Sequence, residues 1–264
     1  MAISRGSARL LLDECKCRKF NGSVMQLGRM TIYLSIDDLN RWANCHGVTL
    51  KKVNAALSNE GHAAKRGFID DITFFSALGF DTVHSCDISD CDNSTFALDL
   101  NQAVPEELWN TYDVIIDCGT IEHVFNFPQV LKNIHNMLKT GGRIIFMSTP
   151  TNNYVDHGYY MYSPIVLYDY YFANSYLIHS SYIIQHSPHF DVDPWVICYY
   201  TPGVLDQCSF GGCNGDDKMM ATWLCAEKKG DSRCDVVPQQ GCSKARTTTG
   251  DFPIPQLKLY ASHY

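Results

Sequence analysis

The sequence predicts an α/β fold: a single doubly wound, mostly parallel sheet with helices on both faces. Three observations carry this. Short apolar strands alternate with helical stretches along the chain. The composition, 45% hydrophobic with only 19% charged residues over 264 positions, suits a globular chain that buries a full core. Residues 112–150 read as strand, loop, helix, turn and strand, a right-handed crossover unit. Within it, residues 113–117 (DVIID) are a short apolar run with acidic ends, as in a strand buried on both faces. From Pro128 the period changes: Val130, Leu131, Ile134, Met137 and Leu138 recur at three- and four-residue steps and make one helical face apolar. Pro128 suits a first helical turn. Lys139 complements the end of the helix dipole, and Gly141 with Gly142 supplies a left-handed stop. Residues 143–147 form the second strand, ended by Ser148, Thr149 and Pro150. Ligands in open α/β sheets bind beyond the carboxyl ends of such strands. One rim of a cleft is therefore expected at residues 117–123 and the other at 148–157.

The remaining elements follow in order. Residues 1–20 are polar and basic with a short apolar patch, expected as a peripheral segment. Residues 23–27 (SVMQL) form a first strand that ends at Gly28. Residues 36–66 read as an insertion, in which Asp37 or Asp38 caps a helix through Trp42 and Thr49 caps one through Leu57. Residues 68–78 form a helix closed by Gly79. Residues 82–89 form the second strand, residues 96–101 the third strand with its loop, and residues 105–109 a short helix. The stretch 152–176 is dense in tyrosine; residues 164–174 read as a helix and residues 155–158 as a loop. Residues 182–184 and 195–200 pair as later strands, and residues 219–226 form the last one. From residue 230 to 264 periodicity is lost, as in a partly disordered tail. The main domain is thus expected over residues 21–229.

Net charge of −7 argues against an extended phosphate-binding face, so no nucleic-acid partner is expected. No apolar run is long enough to span a bilayer, and Leu10, Leu11 and Leu12 are too few for a signal-peptide core. A cytoplasmic protein with no membrane partner is the expectation. The twelve cysteines then read as thiols used for their size. Cys15 with Cys17, and Cys208 with Cys213, lack the two-residue spacing of a zinc knuckle. A nicotinamide-dependent oxidoreductase is disfavoured because no Gly-x-Gly-x-x-Gly follows a strand.

Residues 112–150 also carry a resemblance. Asp113, the triplet Glu122, His123 and Val124, then Leu131, and Leu138 to Gly142 resemble the fourth-to-fifth-strand signature of class I S-adenosylmethionine (SAM)-dependent methyltransferases. The resemblance implies a Rossmann-like, seven-stranded sheet with an antiparallel last strand, and SAM as cofactor. It covers roughly residues 23–229. In that family the first strand ends in an acid and a Gly-x-Gly-x-Gly loop; here only Gly28 remains, with Gln26 in place of the acid and Met30 and Ile32 at the other glycine positions. The resemblance implies that Asp87, at the second strand's end, meets the ribose hydroxyls, which a carboxylate can accept together. It places Asp99 and Leu100 at the adenine. Gly28 and Asp117 complete the expected cofactor set. The stretch from Val155 through Tyr171 is similar to a subset of sugar and polysaccharide O-methyltransferases with a degenerate first glycine loop.

Methyl transfer needs positioning and, for a hydroxyl acceptor, a base. Three rim residues are candidates: His157, His123 and Asp156. An imidazole can take the hydroxyl proton. Asp156 can orient His157 or, with another carboxylate, hold a divalent cation, although no metal-ligand set is assigned. Tyr159, Tyr160 and Tyr162 offer rings and hydroxyls to a saccharide or other small acceptor. Cys118 lacks a neighbouring cation and reads as a space-filling thiol. The alternative is an inactive scaffold that has lost cofactor binding with its glycines. Oligomeric state is not legible.

Overall fold

The computed structural model of the protein describes residues 1–89, 93–188, 195–204, 218–239 and 257–260, the last four through their backbone. In chain order the elements are β1 (Ala2–Ile3), α1 (Arg5–Cys17), β2 (Ser23–Leu27), β3 (Thr31–Ile32), α2 (Ile36–His46), α3 (Gly61–Lys65), α4 (Asp71–Leu78), β4 (Thr82–Asp87), β5 (Phe96–Ala97), β6 (Tyr112–Asp117), α5 (Phe127–Met137), β7 (Leu138–Asn152), α6 (Pro164–Ala173), β8 (Leu177–His186), β9 (Trp195–Tyr199), β10 (Met219–Glu227) and β11 (Leu257–Tyr260). Single 3-10 turns lie at Glu106–Leu108 and Ile121–His123. One nine-stranded sheet runs β11-β9-β8-β10-β7-β6-β2-β4-β5, and β1 pairs with β3 alone. From β5 to β7 every neighbour is parallel, whereas β10 is antiparallel to both β7 and β8. The expected seven-stranded sheet with its antiparallel last strand is the span from β5 to β8. Beyond it, β9 and β11 extend the edge as further antiparallel strands.

Strand side chains alternate between two apolar layers, as a period of two requires. Val24, Val114, Ile116, Ile145 and Met147 join the layer that holds α1, α2 and α4. Met25, Ile115, Ile144 and Phe146 join the opposite layer, with α5 and α6. The helical stripe read on residues 130–138 is buried against the second layer through Val130, Leu131, Ile134 and Met137.

Several local expectations are corrected. Residues 1–20 are not peripheral: Leu10, Leu11 and Leu12 of α1 are fully buried in the first layer. The cap of α2 is Ser35, whose Oγ accepts from Asp38 N–H at 3.1 Å while Asp38 Oδ2 accepts from Ser35 Oγ–H at 2.9 Å; Asp38 is the third residue of a capping box. Thr49 starts no helix. Residues 48–56 instead form no regular element; Lys51 N–H donates to Ala77 O and Ala56 N–H to Thr73 Oγ1, which tie the segment to α4. The third strand is only two residues, β5. Gly141 has the left-handed φ of +81°, but it sits within β7 at an irregularity opposite β6 rather than as a helix stop, its N–H taken by Lys228 O. Of the segment expected to be a partly disordered tail, residues up to 236 pack in part: Asn174 Oδ1 accepts from Val236 N–H at 3.0 Å. Cys208, Cys213 and most of residues 240–264 lie outside the described residues. No described helix is long and apolar enough to cross a membrane.

Candidate functional site

A cleft of about 690 Å³ opens beyond the carboxyl ends of the parallel strands, a size common for small-molecule sites. Its walls come from Gly28 after β2, Asp87 at the end of β4, Leu98 to Asn101 after β5, Cys118 to Thr120 and Glu122 to Val124 after β6, and Ser148 and Pro150 of β7. Of the expected site residues, Gly28, Asp87, Asp99, Leu100, His123 and His157 meet in this one cleft.

The loop after β2 is held by side chains where a glycine run was missing. Gln26, fully buried, donates through Nε2 to Asp71 Oδ2 at 2.8 Å and accepts from Met30 N–H through Oε1 at 3.2 Å. Arg29 closes on Asp71 Oδ1 at 3.1 Å. Gly28 between them has φ +72°, and a Cβ there would collide with the Met1 side chain and stand 2.7 Å from Thr120 Oγ1. A side chain in that conformation is strained and crowds the neighbouring loop, so glycine suits the position. Asp87 Oδ1 accepts from Ile88 N–H, and Asp99 Oδ1 from Asn101 N–H and Nδ2.

A second group of wall residues is built around Glu122. This side chain is 1% exposed, and neither carboxylate oxygen has a hydrogen-bond partner among the described residues. Burial pushes its carboxyl up to about 7, against the opposing pull of its own backbone N–H and the Met1 amino group. His157 Nε2 stands 3.8 Å from Glu122 Oε1. The rings of His123 and His157 are 5.1 Å apart, tilted by 59°. Burial first, then the neighbouring imidazole, lowers His123 and favours its neutral form.

Asp117 departs from expectation. It is fully buried, is absent from the cleft wall, and accepts through Oδ1 from the N–H groups of Thr120 and Ile121, both at 3.2 Å. It caps the 3-10 turn that carries Glu122 and His123; burial and the Glu122 charge raise its pKa well above the carboxylate range. The tyrosines expected to face an acceptor brace the same turn instead. Tyr162 is buried and its hydroxyl donates to Ile121 O at 3.1 Å; the Tyr160 hydroxyl donates to Phe125 O at 2.7 Å; Tyr159 N–H donates to Glu122 O at 2.8 Å. Tyr159 and Asp156 are exposed and off the cleft wall. Cys118 is an inert thiol, driven up by burial and by Asp117 and Glu122.

Three aromatic residues on the wall were missed. Tyr154 OH and His186 Nε2 are 2.8 Å apart, and His186 stacks on Trp195 at 5.4 Å. Trp195 Nε1 is buried without a partner among the described residues. Only the aromatic density of residues 152–176 hinted at Tyr154; nothing local marked His186 or Trp195, which arrive from β8 and β9. Ser4, Ser7 and Ser148 complete this wall, Ser7 Oγ lying 3.0 Å from Ser4 Oγ and 3.3 Å from Ser148 Oγ. No lysine or arginine is among the described residues lining the cleft.

A family model described as a methyltransferase domain matches residues 36–195. No curated protein matches the chain. Among solved structures, TehB from Haemophilus influenzae is similar with 13% identity over 85% of this chain and 62% of that one, TM-score 0.43. A Burkholderia thailandensis 1,6-didemethyltoxoflavin-N1-methyltransferase, solved with 1,6-didemethyltoxoflavin and S-adenosylhomocysteine, is similar with 12% identity, 84% and 76% coverage, and TM-score 0.40. A Haemonchus contortus phosphoethanolamine N-methyltransferase 2 in complex with S-adenosyl-L-methionine has 12% identity, 85% and 53% coverage, and TM-score 0.42. The chain thus spans less than two thirds of the length of TehB and about half that of the Haemonchus enzyme.

Proposed function

We propose that this chain, which belongs to the methyltransferase-domain family, transfers a methyl group from SAM to an oxygen of a small polar acceptor. The observation that carries the reading is one cleft lined both by the strand-end residues Gly28, Asp87 and Leu98 to Asn101 and by the titratable cluster Glu122, His123 and His157.

The residues present fit the cofactor. The Gly28 backbone, bare of a Cβ, lets a ligand approach closely. A cofactor seated there displaces the Met1 side chain. Asp87 presents a carboxylate at the end of β4, suited to paired hydroxyls. An acidic cleft wall without lysine or arginine among its described residues favours a cationic sulfonium. When bound, SAM supplies a methyl group on sulfur that an acceptor can take by in-line displacement. The chain's own work is to hold the acceptor and accept its proton. His157 Nε2, with the Glu122 carboxyl behind it, is the group for that proton, and His123 is its neighbour. The stacked His186 and Trp195 are buried in this wall and give it shape; the acceptor is a saccharide or another small polar alcohol.

Calorimetric titration with SAM and with S-adenosylhomocysteine tests this reading. Both should bind, and Asp87→Ala should weaken binding by ~1.5–3 kcal/mol, the scale of a charge-assisted hydrogen bond. Unchanged affinity would remove Asp87 from the site. Absence of binding at millimolar ligand would leave a scaffold that keeps the fold without the reaction.

A further inference from the structure

We infer that Glu122, His123 and His157 form a site for one divalent first-row transition cation, such as Zn²⁺, Co²⁺ or Fe²⁺, in the wall of the cleft. Each of the three offers a ligand atom, and these atoms lie within 4.8 Å of one another. Two imidazoles and one carboxylate, with the remaining positions open, is the donor set of catalytic zinc and of non-haem iron sites. Imidazole nitrogens select this class over magnesium or calcium, which prefer all-oxygen shells.

A second observation points to a cation independently of the spacing. The Glu122 carboxylate is almost wholly buried, lines the cleft, and has no hydrogen-bond partner on either oxygen among the described residues. An unpaired buried carboxylate costs several kcal/mol if ionised. It escapes that cost by holding a proton or by coordinating a cation. The cleft wall supplies no described lysine or arginine to pair with it; the Met1 amino group only partly offsets its burial.

The geometry needs modest closure. Ligand atoms around a cation at about 2.0–2.2 Å stand roughly 3–3.5 Å apart, and Glu122 Oε1 and His157 Nε2 are at 3.8 Å. Glu122 is fixed from behind, since Asp117 caps its turn and Tyr159 N–H binds its carbonyl. His157 is half exposed, at 50% of its side chain, and its ring is free to make the approach. With the cation in place His157 is a ligand rather than the base. An acceptor hydroxyl bound at an open position then loses its proton to solvent more readily. This role rests on the methyl-transfer reading, whereas cation binding does not.

The test is a Co²⁺ titration of chelator-stripped full-length protein, followed by visible d–d absorption, with S-adenosylhomocysteine calorimetry on the same samples. One equivalent should saturate the signal. His123→Asn and His157→Asn, both at exposed positions, should each weaken Co²⁺ binding by more than the ~10–100-fold typical of losing a residue one shell further out. Glu122→Gln should do the same, and His179→Asn, away from the cleft, should change nothing. If the double variant His123→Asn/His157→Asn titrates like the wild type, the site is refuted. Bound S-adenosylhomocysteine without Co²⁺ binding would discard the cation and keep the methyl-transfer reading; the reverse would do the opposite.

Discussion

Replacing Glu122 by Gln should make the protein more stable at alkaline pH, an uncommon direction for a change at a cleft. The carboxyl's ordinary value of 4.5 is pushed up to about 7 in the folded chain. Between these values the folded state keeps a proton that the unfolded state has released. Stability therefore falls as pH rises through this window, and is flat again above the folded value. A difference of ~2.5 pKa units corresponds to about 3 kcal/mol in full. Between about pH 5 and about pH 8 the loss is about 2–3 kcal/mol, since part of the window lies below pH 5. Gln has nearly the same shape and no charge, so the variant escapes the loss. It also removes a charge that raises Asp117, which adds to the same sign. The assay is urea unfolding at the two pH values, with chelator present so that no cation neutralises Glu122. The wild-type midpoint should drop relative to Glu122→Gln as pH rises. Parallel curves would mean that the buried carboxylate already has a partner, and the account of the cleft's electrostatics would be wrong.

Other substitutions probe the scaffold around the cleft. Gly28→Val should abolish binding of SAM and S-adenosylhomocysteine while leaving a cooperative, lowered thermal transition, because the new side chain meets Thr120 and must adopt φ +72°; retained binding would move the cofactor elsewhere. Tyr162→Phe removes the buried 3.1 Å bond to Ile121 O and should cost about 1 kcal/mol in urea unfolding, with calorimetric affinity for S-adenosylhomocysteine unchanged. Lys228→Met should cost ~1.5–3 kcal/mol. Its ammonium donates to His135 O at 2.7 Å and Leu138 O at 2.8 Å, carbonyls at the end of α5 where a positive charge also meets the helix dipole.

What the sequence made legible was what depends on neighbours along the chain. The stripe on residues 130–138 and the apolar run at 113–117 each identify their element, because periodicity is local. Gly28 and Asp87 could be placed at the cleft because the family resemblance marks them at strand ends, which in this topology face one crevice. What stayed hidden was pairing at a distance. Gln26 looked like a lost acid, yet it anchors to Asp71, 45 positions later, and no local pattern reports that. Tyr160 and Tyr162 looked like acceptor contacts because a tyrosine hydroxyl serves a ligand or a backbone carbonyl equally well; Phe125 O and Ile121 O took them. The N-terminal helix was undervalued for a similar reason. Three consecutive leucines are too short a run to announce burial, which only the first apolar layer provides.

The unequal lengths of β6 and β7 have a bearing on how this cleft tolerates change over generations. The register of β6 with β7 ends at Asp117 opposite Phe146, but β7 continues to Asn152 against β10 alone. Ser148, with φ +57°, lies at the irregularity of this overhang and lines the cavity. The wall is thus made by how far one strand outruns its neighbour. Exchange of Ser148 for another small residue that tolerates a positive φ would alter little. Insertion or deletion of a single residue between Phe146 and Thr149 would change the irregularity in the pairing with β10 that lies there and alter which strand side chains face inward. Descendants of this chain should drift in residue identity along that segment while holding its length constant.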